Sequence, residues 1–104
     1  MGRPQLTGEE RRHARRRVPE AGEPAATLRL RRGGDCRVVD LSHGGALIEG
    51  PVRLEPGRQV EFRMAGRARE VSATALVVRA AVAQVMPDRV TYRAALKFDR
   101  LLDV

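Results

Sequence analysis

The chain has 104 residues, enough for one compact domain and one core, and its only aromatics are two Phe and one Tyr, so that core must be built from Val, Leu, Ala and Ile, with little room for a large buried cofactor. A formal net charge of +7 comes from 20 basic residues, all arginine except Lys97; guanidinium groups bind phosphate bidentately and stack on planar rings, which suits an anionic partner, although a solvated Arg-rich surface has the same composition. A single cysteine, Cys36, excludes an internal disulfide and reads as a small core residue, and no apolar stretch approaches the length of a membrane span, so the expectation is a soluble, cytoplasmic protein.

Residues 1–17 form a polar arm in which Arg3, Arg11, Arg12, Arg15, Arg16 and Arg17 face only Glu9 and Glu10, so more than half of the net charge sits there. Thr7 and Glu10 have capping-box spacing, but a helix without an apolar face to dock is marginal by itself. Residues 18–26 contain Pro19, Gly22 and Pro24, which break any helix and mark a hinge, so the arm is expected to be flexible. From residue 27 to 104 short apolar or alternating runs are separated by turn chemistry. "TLRLR" alternates with period two and meets "DCRVVDL" across Gly33 and Gly34, a hairpin signal because glycine tolerates positive φ. "GALIE" follows Gly44, "QVEFRM" follows Pro56-Gly57, "REVSATALVVRA" follows Gly66, and Pro87-Asp88 turns the chain into "VTYRAALKF". The expected fold is all-β, a small antiparallel six-stranded barrel preceded by the arm. "DRLLDV" is expected to begin a helical turn.

Two local patterns stand out. The arm carries Arg11-x-x-x-Arg15, overlapped by Arg12-x-x-x-Arg16, and the connection after the second strand reads "DLSHGG", from Asp40 to Gly45. As a turn, that stretch would use Asp40 for an Asx-turn, Ser42 to support it, and Gly44 and Gly45 for positive φ. Taken together and in order, an R-x-x-x-R arm, a hinge, a hairpin and D-x-S-x-x-G at a strand end resemble the PilZ domain family of bacterial cyclic di-GMP receptors, and the likeness runs from Glu10 to Phe98.

That resemblance implies a second-messenger receptor that takes cyclic di-GMP as its ligand, uses no cofactor, and signals to a downstream protein partner that the sequence does not identify. Chemistry agrees with it residue by residue. Cyclic di-GMP offers two guanines and two phosphates, so its receptor needs planar cations for the O6/N7 edge and the phosphates, and an acceptor for the N1–H/N2–H edge. Arg11 and Arg15 suit the first task, with Arg12 and Arg16 as helpers or as an alternative register. Asp40 suits the second, Ser42 adds a hydroxyl, and Gly44 and Gly45 let backbone approach the ligand or take an unusual φ. The resemblance further implies that the arm closes over the nucleotide, so binding would act as a switch through ordering. How many nucleotides bind, and whether the chain is a monomer or a weak homodimer, stays open.

The sequence argues against an enzyme: His13 and His43 with one thiol make no zinc set, no carboxylate pair stands out, and both imidazoles are expected to be exposed, His43 at most lining the pocket. Two further readings compete. A basic single-stranded nucleic-acid-binding barrel is disfavoured because Phe62 and Phe98 sit in core-like runs and leave few stacking platforms. A ligand-free adaptor would not need both motifs intact.

Overall fold

Six strands run in chain order, β1 (Thr27–Leu30), β2 (Gly34–Leu41), β3 (Gly45–Gly50), β4 (Gln59–Ala65), β5 (Glu70–Met86) and β6 (Arg89–Phe98), in a computed structural model that describes residues 26–104. All pairings are antiparallel and the sheet closes on itself in the order β1-β2-β3-β6-β5-β4, as expected for a barrel. Closure leaves no free sheet edge around the body of the barrel. No helix is present among the described residues.

Period-two alternation does most of the sorting. Leu28 and Leu30 of β1, Cys36 and Val38 of β2, Ala46 and Ile48 of β3, Phe62 and Met64 of β4, Ala75 and Val77 of β5, and Ala94, Leu96 and Phe98 of β6 all point inward and are buried. Each fully buried Leu, Ile or Val contributes about 1.5–3 kcal/mol. Phe62 and Phe98, on opposite sides of β5, bring their rings to a centroid distance of 5.2 Å. Burial and the neighbouring Asp35 push the Cys36 thiol above its ordinary pKa, which keeps it a neutral core residue.

The turns follow glycine and proline. Gly33 and Gly34 both take positive φ, 125° and 79°, where β1 folds into β2. Pro87 and Asp88 form the two-residue connection between β5 and β6.

Two expectations fail. The last residues form no helical turn. They run irregularly across one end of the barrel, with Leu102 and Val104 buried at 5% and 2% exposure and the backbone tied by Leu102 N–H to His43 O and by Arg67 N–H to Asp103 O. Burying alternate residues suits an extended segment and not a helix, and it wins because the barrel end needs a cap. Gly44 and Gly45 also lack positive φ. A Cβ at Gly45 would collide with the Leu96 backbone carbonyl of β6, so that glycine is required by strand approach and not by turn geometry.

Candidate functional site

Local order around Asp40 begins with a bulge. Val38 pairs with Ile48 and Asp40 pairs with Leu47, which leaves Val39 as an extra residue in β2. Cys36 and Val38 point inward, so strict alternation would turn Asp40 into the core as well. The spare residue reverses that: Leu41 is buried instead, and Asp40 stays half-buried on the outer side.

The same device recurs in β5. Its register skips between Val77 and Arg79, so after the inward Ala75 and Val77 the bulge at Val78 releases Arg79 to the exterior. The two outward residues share one cross-strand row. Asp40 pairs with Leu47, Leu47 with Ala95, and Ala95 with Arg79, which spans β2, β3, β6 and β5. Three strand spacings separate the ends, about 14 Å. A carboxylate and a guanidinium thus stand at opposite ends of a floor made by Leu47 and Ala95. A shallow depression of about 220 Å³ lies there, lined by Asp40, Ser42, Gly45, Leu47, Arg79 and Ala95.

The turn is held from within. Ser42 N–H donates to Gly45 O at 2.9 Å, and Gly44 N–H and Gly45 N–H both donate to Ser42 Oγ, at 3.3 and 3.1 Å, while that hydroxyl reaches Gly45 O at 3.3 Å. Ser42 is therefore the brace of the corner. Asp40 Oδ1 accepts from the N–H of Leu41, the next residue, at 2.9 Å. Gly44 O accepts from Phe98 N–H at 2.8 Å, and His43 Nδ1 lies 2.9 Å from Leu102 O. That carbonyl can only accept, so Nδ1 carries the proton. His43 is half-buried, contrary to the expectation that it is exposed: it pins the C-terminal segment to the turn.

Of the eight residues expected to form the site, Asp40, Ser42, Gly44 and Gly45 come together on this corner. Arg11, Arg12, Arg15 and Arg16 lie outside the described residues. The point from which they extend does not: Val38 N–H donates to Ala26 O at 2.9 Å, two residues from Asp40. Because β1 and β2 are antiparallel, moving back along β1 means moving toward Asp40. Asp40 consequently stands between the start of the described chain and the Leu47–Ala95 floor. Arg79 was missed by sequence reasoning, and nothing in the sequence distinguishes it from the other arginines.

A network of charges borders the floor. Glu49 accepts from Arg37 at 2.8 Å and from Arg93, and these bonds, Arg93 first, hold its carboxyl below the usual range. A larger concavity, about 640 Å³, lies elsewhere, on the β1-β4-β5 wall among Arg29, Arg31, Arg63 and Arg100. Three of those guanidinium groups are already paired, with Asp35, Glu61 and Asp99, so its size reflects a curved wall of exposed ion pairs. No group of His, Cys, Asp and Glu with metal-binding geometry occurs among the described residues. Among them, too, no helix is long and apolar enough to cross a membrane.

Comparison with known proteins gives one result. A family model described as the PilZ domain matches residues 9–103, nearly the whole chain. Searches of curated proteins and of solved structures return no significant match.

Proposed function

Since the chain belongs to the PilZ domain family, whose members are generally cyclic di-GMP-binding adaptors, we propose that it is itself a cyclic di-GMP receptor that signals through its N-terminal arm to a protein partner. The observation that carries this reading is the row from Asp40 to Arg79, with the arm's attachment point beside its acidic end.

On this reading each residue has a task. The Asp40 carboxylate accepts from the N1–H and N2–H of a guanine, a pattern adenine does not present. Leu47 and Ala95 give the base a flat apolar floor, Arg79 meets a phosphate or the O6/N7 edge, and Ser42 holds the corner rigid rather than acting as a mobile donor. The floor is too small to enclose the ligand alone, since about 220 Å³ falls below the roughly 300–1,000 Å³ of typical small-molecule sites. A second wall has to come from elsewhere, and Arg11, Arg12, Arg15 and Arg16 supply it. Arg15 lies eleven chain steps before Ala26, a span of up to about 36 Å when extended, which exceeds the width of the floor. Each copy carries four candidate arm guanidiniums whose mutual repulsion the phosphates relieve, so ligand and arm position are coupled. No covalent chemistry is assigned to the site; it is a binding and switching device.

Calorimetry with cyclic di-GMP, cyclic di-AMP, GTP and a short oligonucleotide at two salt concentrations tests the proposal. The expected result is selective cyclic di-GMP binding that disappears in Arg15→Ala and in Asp40→Ala, with the Arg15→Ala barrel melting as the parent does. Binding that follows polyanion charge, falls steeply with salt and ignores Asp40→Ala would identify a nucleic-acid binder instead. Absence of binding to all four ligands would leave a ligand-free adaptor.

A further inference from the structure

The wall of ion pairs on β1, β4 and β5 leaves one cation over. Asp35, Arg29, Arg63 and Ser72 form a single cross-strand row through β2, β1, β4 and β5. Arg29 and Arg63 stand directly opposite each other, a placement of like charges that weakens a sheet. Arg29 Nε reaches Asp35, on the side away from Arg63, at 3.2 Å. Glu61 shares the outer face of β4 with Arg63 but is taken by Arg31 at 2.8 Å. Arg63 therefore has no carboxylate partner among the described residues.

Other donors gather around it. Ser72 lies opposite Arg63 and Thr74 opposite Glu61, so alternation sets both hydroxyls on the outer face of β5. Neither hydroxyl has a hydrogen-bond partner among the described residues. From the β6 side, Arg100 donates to Ser72 O at 3.0 Å and to Asp99 Oδ1 at 3.3 Å. These groups line the concavity of about 640 Å³, inside the roughly 300–1,000 Å³ of small-molecule sites. Its guanidinium groups exceed the carboxylates paired with them by the one on Arg63.

The geometry points to a second ligand site on this wall, one for a small phosphomonoester held between Arg63 and Arg100 over the hydroxyls of Ser72 and Thr74. A phosphomonoester brings nearly two negative charges and three terminal oxygens, enough acceptors for both guanidiniums and a hydroxyl. A carboxylate offers two oxygens in one plane, and a phosphodiester has a single charge. Exposed ion pairs are weak, so Arg29 and Arg100 turn from their carboxylates to the ligand at little cost. A nucleic-acid strand needs stacking surfaces, and Phe62, the one ring lining the concavity, is buried. Of the strands that line this site only β5 also reaches the Asp40–Arg79 floor, so the inference stands apart from the cyclic di-GMP reading.

Heteronuclear NMR of the full chain, titrated with AMP as the phosphomonoester at constant ionic strength, is the test. Expected are saturating shifts at Arg63, Ser72, Thr74 and Arg100, with a dissociation constant of about 1 mM or tighter. Arg63→Gln should weaken binding about tenfold or more, as loss of a charge-assisted hydrogen bond does. It should not lower Tm, because the like-charge pair with Arg29 disappears. Arg89→Gln removes the same charge from an exposed position at the start of β6 and should leave binding unchanged. Cyclic AMP, with one charge fewer, and succinate, with equal charge on planar carboxylates, should bind about tenfold more weakly or worse. Shifts that stay linear to about 10 mM, binding that ignores Arg63→Gln or falls equally in Arg89→Gln, or cyclic AMP or succinate binding as tightly as AMP overturns the inference.

Discussion

Gly44 and Gly45 are neighbours in one turn, yet alanine should be accepted at the first and rejected at the second. At Gly45 a Cβ would run into the carbonyl oxygen of Leu96, with the Leu96 carbonyl carbon 3.5 Å and Lys97 Cα 3.7 Å away, all of it backbone that cannot rotate aside. Relief requires β3 and β6 to separate, and Gly45 pairs with Lys97 at the very start of that ladder. Overpacking of this kind costs typically about 1–3 kcal/mol. For a domain of this size that lowers Tm by roughly 4–24 °C, at about 4–8 °C per kcal/mol. At Gly44 the same methyl meets only Leu101 Cδ2 at 3.7 Å, ordinary contact, and φ there is not positive. Loss of glycine's freedom in the unfolded chain then makes Gly44→Ala neutral or stabilising by up to about 1 kcal/mol. Calorimetric melting of both variants without ligand is the assay. If the two melt together, or Gly44→Ala melts first, strand approach is not what demands glycine at position 45, and the ligand-contact explanation regains its place.

Leu102→Ala should cost about 2–5 kcal/mol in urea unfolding, as for a core leucine, because the C-terminal segment caps the barrel and is not a loose end. Glu49 is stabilised in its charged form by Arg93 and Arg37, so its contribution is complete above its unfolded value near 4.5 and is lost as pH falls through the lowered native one; Glu49→Gln should flatten that part of the acid-unfolding curve, measured by circular dichroism. Arg79→Ala should weaken cyclic di-GMP binding about tenfold or more in calorimetry, the worth of one charge-assisted hydrogen bond, and leave Tm within a degree or two because the side chain is exposed.

Strand number, hairpin positions and the inward residues were legible because each strand alternates and each turn carries glycine or proline, as at Gly33-Gly34 and Pro87-Asp88. The acidic corner was legible as a motif, but its surroundings were not. Arg79 reaches the same row as Asp40 only through the β3-β6 and β6-β5 registers, which are long-range, and through two skipped residues that look like ordinary valines in the sequence. The C-terminal segment was misread because the six residues of "DRLLDV" hold too little period to separate helix from strand, and its burial is decided by the open barrel end it meets. Gly45 shows the same limit. A glycine required by a neighbouring strand and one required by φ are indistinguishable until that strand is placed.

Val39 and Val78 make the chain a counter. Delete either codon and every side chain downstream in that strand changes sides, so a carboxylate or a guanidinium is driven among hydrocarbon while a leucine or alanine is thrust into water. Anyone grafting this acidic corner into another scaffold must therefore transplant the spare valine along with the motif, since the letters D-x-S-x-x-G alone do not say which way the acid will face.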